Sequence, residues 1–394
     1  MAKKSILLFN NIKPEKFLDQ TRFDWGADEK KLTDPDAILV RSEKMHDKEI
    51  AISVLAVGRA GSGVDNIPIE KYASQGIVVF NTPGANANSV KELVVAGVLI
   101  AARKIVPALK FIGGLPTDKD KAEIKKLIEK EKKQFAGAEI FGKSIFVFGL
   151  GNIGARVASA LAELGMNVYG YDPYKASYIP RVKVIKQFGV ALAKMAQCDF
   201  ITIHVDANDK TKGMFNEALI AKLQNKPTLL NFARGEIVKE KAICDALLSG
   251  KLANYVTDFY SPELAKLSNA IILPHLGAST AEAELICAQM VCDQVADFLE
   301  NGNILNSVNF PDAEMANASP YRLTVINKNV PDVLKGINGA IGGLGVNIEQ
   351  QFNTSRGEYA YNIIDINTAA TDELLEKLKA VGGVIRVRAL AVKE

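Results

Sequence analysis

The chain has 394 residues, more than one hydrophobic core usually supports, so we expect two or three domains. Its 48 Lys and Arg residues nearly balance 45 acidic residues, which gives no reason to expect a nucleic acid or a membrane surface as a partner. No apolar run approaches the roughly 18 residues of a membrane span. The 4 cysteines form no C-x-x-C pair and stand apart from the 3 histidines, so we expect no metal site and a cytoplasmic location with reduced thiols.

Short apolar runs alternate with polar, helix-compatible stretches over the first 80 residues. They lie at residues 6–9, 37–40, 52–57 and 77–80. This spacing predicts β-α units that build a parallel sheet. An apolar helix is predicted over residues 89–103, and the Lys- and Glu-rich residues 119–133 predict a solvated amphipathic helix.

A second series of apolar runs predicts a second doubly wound parallel sheet. Its strands are expected at residues 144–148, 168–171, 200–205, 228–232, 255–258 and 271–273. A helix over residues 281–299 follows, and the stretch 311–320, flanked by two prolines, reads as a linker. The remaining residues predict the order β-α-β-β-α-β. The expected fold is therefore two Rossmann-like α/β domains plus a C-terminal ferredoxin-like α+β domain.

A glycine-rich segment lies between the predicted strand 145–148 and the predicted helix 153–164. Gly149 permits a tight turn, Gly151 lets a pyrophosphate approach the backbone, and Gly154 allows close packing of helix and strand. The helix N-terminus adds unpaired N–H groups. This context predicts a dinucleotide site, and the alternative is a fold that keeps the turn without a cofactor.

The strand after this turn ends at Asp172. A carboxylate there can accept hydrogen bonds from the ribose diol and repels the 2′-phosphate of NADP. The sequence therefore favours NAD as the cofactor.

Two side chains at later strand ends suit the oxidation of a hydroxy acid. The guanidinium of Arg234 can bind a carboxylate bidentately, and His275 can take the hydroxyl proton. Glu263 can hold the second imidazole nitrogen, as acidic partners do in catalytic triads. A surface position for Arg234, a helix-capping role for Glu263 and a structural role for His275 are the alternatives.

Four further motifs carry a family resemblance. Residues 58–67, 81–86, 231–235 and 274–280 resemble the D-isomer specific 2-hydroxyacid dehydrogenases, in particular the branch that oxidises D-3-phosphoglycerate. Residues 327–331 and 345–348 resemble the ACT domain, a ligand-sensing module at the C-terminus of many such enzymes. The motifs occur in the family's order over nearly the whole chain.

The resemblance implies roles for three sets of residues. The catalytic trio would be Arg234, Glu263 and His275. Contacts with NAD would come from Gly149, Gly151, Asn152, Ile153, Gly154, Asp172, Val205, Phe232, Ala233 and Asp258. Contacts with the substrate D-3-phosphoglycerate would come from Arg41, Lys44, Arg59, Ser62, Gly63 and Asn86. For the cations of the last set, ordinary surface charge is the alternative.

The resemblance also implies the domain order. Residues 1–90 and 280–310 would form a discontinuous substrate-binding domain, 91–279 the NAD-binding domain, 311–320 the linker and 321–394 the ACT-like regulatory domain. The active cleft would lie between the first two domains, and closure would exclude water from it. Members of the family usually form homodimers or homotetramers. The implied reaction is the first step of phosphorylated L-serine biosynthesis.

The chain departs from the family pattern in two places. The segment between Glu263 and His275 is short, and Leu264 stands where a proline is usual. In the tail, Asn329 and Asn347 match residues that bind an effector amino acid, whereas Asn327 and Asp332 stand where relatives have a histidine and a glycine. The candidate effector-binding residues are Asn327, Asn329 and Asn347. L-Serine is therefore a candidate effector that Asp332 puts in doubt, and the alternative is a tail that only assembles subunits.

Two other functions compete with this reading. The nearest is a reductase of the glyoxylate, hydroxypyruvate or D-lactate type that uses the same catalytic trio. A protein of another class would be an NAD-sensing corepressor on the same fold. An intact set of Arg234, Glu263 and His275 disfavours the corepressor, because a sensor needs no proton relay.

Overall fold

The computed structural model describes residues 3–10, 12–174 and 178–391. The chain divides into two compact units, the first made of residues 1–85 and 284–394 and the second of residues 86–283. The family resemblance implies that the chain leaves the first domain near residue 90 and returns to it near residue 280. In the structure, the first unit ends at residue 85 and resumes at residue 284.

The first unit contains a parallel sheet of five strands in the order β2-β1-β3-β4-β5. The strands are β1 Lys4–Leu8, β2 Phe23–Gly26, β3 Ala37–Val40, β4 Ala56–Arg59 and β5 Val78–Phe80, with helix α1 at Ile69–Ser74. The sequence does not predict β2, because this edge strand has a short, mixed sequence that lacks an apolar run. The carboxyl ends of β3 and β4 lie side by side, which places Arg41 and Arg59 at one edge.

The second unit contains a parallel sheet of seven strands in the order β12-β11-β10-β9-β6-β7-β8. The strands are β6 Ser144–Phe148, β7 Asn167–Tyr171, β8 Val182–Ile185, β9 Phe200–Ile203, β10 Thr228–Asn231, β11 Asn254–Thr257 and β12 Ala270–Ile272. The order reverses between β6 and β9, and open α/β sheets bind ligands at such switch points. The prediction of two doubly wound parallel sheets is confirmed, apart from the unpredicted edge strand β8.

The described part of the second unit contains eight α-helices. They are α2 Ala87–Ala102, α3 Ile105–Gly113, α4 Lys121–Glu131, α5 Asn152–Glu163, α6 Phe188–Met195, α7 Glu217–Ala221, α8 Glu240–Leu248 and α9 Pro262–Ala265. Helix α2 packs Val90, Val94 and Val98 into the core that also buries α5. Within the described ranges, no helix is both long enough and apolar enough to span a bilayer.

Helix α10, Ala281–Asn301, carries the chain back into the first unit. Its residues Cys287, Val291, Val295 and Phe298 are buried in the core beneath the five-stranded sheet. The periodicity of three to four residues gives the helix one apolar face, which fixes its orientation.

The C-terminal part of the first unit is an antiparallel sheet of four strands in the order β14-β15-β13-β16. Its elements are β13 Tyr321–Lys328, α11 Val333–Gly342, β14 Ile348–Arg356, β15 Tyr359–Ile366, α12 Asp372–Lys379 and β16 Val384–Ala391. This confirms the predicted ferredoxin-like order of elements.

The stretch predicted as a linker, residues 311–320, is packed rather than free. Ala313 and Met315 are only 1% and 5% exposed and belong to the core of the first unit. The carbonyl oxygens of Met315 and Ala316 accept hydrogen bonds from the guanidinium of Arg322. Small, apolar side chains can fill a core as well as join domains, and composition alone does not separate the two cases.

Arg322 is the centre of a buried polar cluster. Its guanidinium and the carboxylate of Asp365 are both 0% exposed and form two bonds, Nε to Oδ1 at 2.6 Å and Nη2 to Oδ2 at 2.9 Å. Its other N–H groups bond to the carbonyl oxygens of Asn301, Met315 and Ala316. All five donors of the guanidinium are thus used, which ties the end of α10 to β13 and β15.

Arg322→Ala is expected to lower the free energy of unfolding by about 3–5 kcal/mol, because it leaves the buried Asp365 carboxylate without its cation. Urea denaturation measures this loss. The matched control is Arg22→Ala, which removes a solvent-exposed pair with Glu300 at 2.8 Å and should cost about 0–1 kcal/mol. A loss below about 1 kcal/mol for the Arg322 variant would show that the cluster contributes little to stability.

Candidate active site

The glycine-rich turn between β6 and α5 has the geometry of a phosphate cradle. Gly149 has a φ of +95° and donates its N–H to the carbonyl of Tyr171 at 2.8 Å. A Cβ on Gly154 would collide with the carbonyl oxygen of Gly149, whereas a Cβ on Gly151 would meet nothing within 4 Å. Gly154 is therefore required by packing, and Gly151 leaves open space in front of the N-terminus of α5.

Helix α5 begins at Asn152, with Ile153 in the same first turn. Gly151 precedes them as the N-cap and has no side chain with which to cap the first-turn N–H groups. Those groups keep their hydrogen-bonding capacity for an anion.

Asp172 follows β7 and is almost fully buried. Its Oδ2 accepts the N–H of Leu150 at 3.0 Å, and its Oδ1 accepts the N–H of Tyr174 at 2.8 Å. A carboxylate oxygen has two lone pairs, so each oxygen can also accept a ribose hydroxyl. The carboxylate, the open space at Gly151 and the uncapped helix together fit a dinucleotide.

His204 and Val205 form the wall of the turn at the end of β9. The His204 carbonyl oxygen would lie 2.7 Å from a Cβ on Gly149, and Val205 Cγ1 would lie 2.9 Å from it. The His204 ring contacts Thr202 Oγ1 at 2.9 Å, and burial lowers its pKa to about 3. The imidazole is therefore neutral near pH 7 and is unsuited to be a base that gains charge.

The turn after β10 is organised by Asn231, which is fully buried. Its Nδ2 donates to the carbonyl of Arg234 at 2.9 Å, and its Oδ1 accepts the N–H of Ala233 at 3.2 Å. Phe232 is buried against α2, while Arg234 is half-buried with Nη1 bonded to the Ala233 carbonyl. Sequence reasoning missed this role of Asn231, although a polar residue that ends an apolar strand was a usable signal.

Asp258 joins the end of β11 to the loop that carries His275. Its Oδ2 accepts the N–H of Gly277 at 3.2 Å, and its backbone carbonyl accepts the N–H of His275 at 3.2 Å. Burial raises the pKa of Asp258, and the nearby charges of His275 and Arg234 oppose that rise. Its Oδ1 is buried and has no hydrogen-bond partner among the described residues, so it can accept a donor from a bound molecule.

His275 is exposed and has a φ of +49°, a left-handed conformation that is uncommon outside glycine. Its ring packs edge-to-face on Phe259 with the centroids 5.4 Å apart. Phe259 also lies against Gly235, where a Cβ would be 3.4 Å from its Cγ. The aromatic ring thus links the Arg234 turn to the His275 loop, a role that the sequence did not indicate.

Glu263 lies in the short helix α9, where Ser261 caps the helix through Leu264 N–H. Its carboxylate is 2.7 Å from Lys266 Nζ, and its side chain is 62% exposed. Over the ranges that the structure describes, no hydrogen bond joins Glu263 to His275. Asp258 is an acidic residue that does bond to His275, through its backbone carbonyl and the His275 N–H at 3.2 Å.

In the first unit, Arg59 and Arg41 form a cluster at the ends of β4 and β3. Arg59 Nε donates to the Arg41 carbonyl at 3.1 Å, and its guanidinium lies directly over Gly61, where any Cβ would collide with it. Arg41 Nη1 is 2.8 Å from Glu284 Oε1. The structure thus brings the two predicted arginines together and adds a carboxylate that sequence reasoning missed.

The loop that begins at Arg41 is held by the side chain of Asn10. Three consecutive backbone N–H groups, those of Arg41, Ser42 and Glu43, donate to Asn10 Oδ1 at 3.1, 2.9 and 3.1 Å. Asn66 Nδ2 donates to the Glu43 carbonyl at 2.7 Å from the other side. The backbone between Arg41 and Lys44 is therefore preorganised although Lys44 itself is exposed.

The remaining predicted substrate residues are divided between the units. Ser62 and Gly63 are half-buried in the first unit, and the Ser62 carbonyl accepts Asn81 Nδ2 at 2.6 Å. Asn86 opens the second unit as the N-cap of α2. Its Oδ1 is buried and unpartnered within the described part of the chain, which leaves it able to accept a hydrogen bond.

The three asparagines predicted to bind an effector are separated in the C-terminal sheet. Asn327 is buried and bonds to Asn362 at 2.8 Å, and Asn329 Nδ2 bonds to the Gly357 carbonyl at 3.2 Å. Asn347 bonds to Glu349 at the opposite end of the sheet. One chain therefore does not bring Asn347 to the other two residues.

Comparison with known proteins gives the family. The model for the D-isomer specific 2-hydroxyacid dehydrogenase NAD binding domain matches residues 108–277. The D-3-phosphoglycerate dehydrogenase of Haemophilus influenzae is 30% identical over 87% of this chain and 82% of its own length. That of Methanocaldococcus jannaschii is 34% identical over 78% of this chain, and the chain spans only 59% of that relative's length.

Solved structures show the same fold. The NAD+-bound 3-phosphoglycerate dehydrogenase of Entamoeba histolytica is 25% identical, with a TM-score of 0.62 over 78% of this chain and 99% of that one. The NADPH-dependent glyoxylate/hydroxypyruvate reductase of Sinorhizobium meliloti is 21% identical, with a TM-score of 0.63 over 80% of this chain and 100% of that one. The chain belongs to the D-isomer specific 2-hydroxyacid dehydrogenases, a family of NAD-dependent oxidoreductases, and NAD is the cofactor of its second unit.

Proposed function

We propose that the protein oxidises D-3-phosphoglycerate to 3-phosphohydroxypyruvate with NAD, the first reaction of phosphorylated L-serine biosynthesis. The observation that carries the proposal is the Phe259 ring, which packs on the His275 ring with the centroids 5.4 Å apart and also lies against Gly235, next to Arg234. A base and a carboxylate anchor are thus close together in a chain whose relatives at 30–34% identity are D-3-phosphoglycerate dehydrogenases.

The cofactor would be held by residues of the second unit. When bound, NAD supplies the hydride acceptor. The first turn of α5 would bind the pyrophosphate, and Asp172 would accept the ribose hydroxyls. The unpartnered Oδ1 of Asp258 would accept an N–H of the nicotinamide carboxamide. Val205, Phe232 and Ala233 would line the path between them.

Arg234 would bind the substrate carboxylate. The buried Asn231 amide holds the backbone of its turn, and Nη1 is bonded to the Ala233 carbonyl, which restricts the guanidinium before substrate arrives. A planar guanidinium forms two parallel hydrogen bonds with a carboxylate, which fixes the orientation of the adjacent carbon. The hydroxyl and the hydrogen on that carbon would thereby have a fixed orientation relative to His275 and the cofactor.

His275 would take the hydroxyl proton as the carbon loses its hydride, and would return a proton to the carbonyl oxygen in reverse. Two backbone bonds and the edge of Phe259 hold the loop in place. Glu263 would act as the partner of the imidazole only if its bond to Lys266 opens.

The cations of the first unit would bind the phosphate. Arg41, Lys44 and Arg59 follow two adjacent strands, and Asn10 fixes the loop between the first two. A phosphate accepts charge-assisted hydrogen bonds from guanidinium groups. D-3-Phosphoglycerate has two anionic groups, and its phosphate would suit this cluster.

An unphosphorylated D-2-hydroxyacid is the second candidate substrate. The observation that favours it is the ion pair between Arg41 and Glu284, which lowers the positive charge available to a phosphate. Reductases of this fold that act on glyoxylate and hydroxypyruvate are among the structural neighbours.

A panel of D-2-hydroxy acids separates these substrates. We expect NADH formation at alkaline pH, where the released proton is removed, with D-3-phosphoglycerate preferred over D-glycerate and D-lactate by about tenfold or more in kcat/KM. The increase in NADH absorbance measures the rate. If none of the acids is oxidised, the proposed enzyme activity is wrong; if only unphosphorylated acids react, the proposed substrate is wrong.

His275→Asn should lower kcat by roughly 10²-fold or more, because asparagine cannot take the hydroxyl proton. The pH dependence of kcat/KM should flatten on its acidic side for the same reason. NADH binding, followed by fluorescence titration, serves as the control and should stay unchanged. Near-normal turnover in this variant would exclude His275 as the base.

Gly151→Ala should raise the Kd of NADH by about tenfold or more while changing the free energy of unfolding by less than about 0.5 kcal/mol. The added methyl group meets nothing in the protein but occupies the approach of the pyrophosphate. Gly113→Ala, at another open position in α3, should leave NADH binding unchanged. Equal NADH affinity in the two variants would contradict the proposed pyrophosphate position.

A further inference from the structure

The cation cluster of the first unit contains its own counter-charge. Arg41 Nη1 lies 2.8 Å from Glu284 Oε1, and the two side chains are 35% and 49% exposed. We infer that Glu284 is a specificity-determining residue that sets how strongly the cluster attracts an anionic group, and that selects between ligands by their charge. The inference rests on the proposed function, because it assigns the cluster to the substrate's anionic group.

Both partners of this pair are held by the fold. Glu284 shares one face of α10 with Cys287, Ala288 and Val291, which are buried in the core of the first unit. The packing of that face directs the start of the helix toward the sheet. The carboxylate is thus presented to Arg41 by the helix as a whole.

The backbone of Arg41 is also held, by hydrogen bonds to two side chains. Its N–H donates to Asn10 Oδ1 at 3.1 Å, and its carbonyl accepts Arg59 Nε at 3.1 Å. Its backbone therefore has a defined position, and the guanidinium meets Glu284 from a fixed base.

The other acidic residue of the loop is engaged elsewhere. Glu43 Oε1 is 3.3 Å from Lys48 Nζ, and Lys48 also contacts Glu29 at 3.2 Å. Glu284 is the acidic residue that contacts Arg41 directly. It offsets one of the three positive charges that Arg41, Lys44 and Arg59 carry.

An anion that binds Arg41 must displace the Glu284 carboxylate or share the guanidinium with it. Because both side chains are partly exposed, water and salt weaken the pair, and exchange with a ligand is feasible. The displaced carboxylate stays nearby and repels the ligand in proportion to the ligand's charge. A phosphate dianion is therefore penalised more than a monoanion or a neutral hydroxyl group.

Glu284→Gln tests the inference, since glutamine keeps the size and helix preference of the side chain and removes its charge. We expect the KM for D-3-phosphoglycerate and the Kd for inorganic phosphate, measured by calorimetry on the NADH-bound protein, to fall roughly three- to tenfold. The kcat should change by less than about twofold, and the gain should shrink as KCl is added.

Glu300→Gln is the matched control. It breaks another Arg–Glu pair of 2.8 Å in the same helix, with Arg22, and no predicted substrate residue takes part in that pair. Its KM and phosphate Kd should equal those of the unmodified protein. Urea denaturation of both variants shows whether the fold is equally stable.

The outcomes for the two proposals are separable. Equal or weaker phosphate binding by the Glu284 variant overturns the inference, even if D-3-phosphoglycerate is a good substrate; weaker binding would mean that Glu284 orients Arg41 instead. If D-3-phosphoglycerate is not oxidised, the proposed function fails, and the phosphate titration still decides the role of Glu284.

Discussion

Asp258, at the end of β11, fixes the loop that carries His275. Its side chain accepts the N–H of Gly277, and its backbone carbonyl accepts the N–H of His275. These bonds extend the pairing of β11 with β12 into the loop that carries His275. The cost of burying the carboxylate is offset by these donors and by the charges of His275 and Arg234.

In the first unit, the cationic side chains of Arg41 and Arg59 lie close together. Like charges repel, so the backbone that carries them has to be held by neutral groups. Asn10 does this with one amide oxygen that accepts three N–H groups, and Asn66 holds the same loop from the other side. Glu284 adds the only direct ion pair to Arg41 among the described residues. The loop that carries Arg41 is thus held by neutral amides, and Glu284 adds a negative charge beside it.

The C-terminal sheet contacts β4 and α10, the elements that carry Arg59 and Glu284. Arg386 donates to the Val54 carbonyl just before β4, and Arg388 donates to the Leu299 carbonyl in α10 at 3.0 Å. Strand β4 ends in Arg59, and α10 carries Glu284. The third sheet therefore contacts the two elements that present Arg59 and Glu284, and the buried Arg322–Asp365 pair adds a rigid connection to the end of α10.

The sequence predicted the parts of this protein that repeat or that obey a local rule. Two series of apolar runs predicted the two parallel sheets, and the order of the last six elements predicted the ferredoxin-like module. The edge strands β2 and β8 were not predicted, because an edge strand is less buried and does not need a continuous apolar run. The packed stretch 311–320 was predicted as a linker, because a segment rich in small residues can either pack in a core or connect two domains.

In the candidate site, too, some residues could be predicted from the sequence and others could not. Gly149, Gly151, Gly154 and Asp172 follow a local rule of spacing, and Asp172 accepts the N–H of Leu150 within the glycine-rich turn. Asn10, Phe259 and Glu284 act on residues that are distant in sequence, as when Glu284 meets Arg41 across more than half of the chain. No periodicity encodes such pairs, since they arise only when strand ends and helix faces converge. Chemistry that depends on a neighbour's charge is therefore visible only after the fold is known.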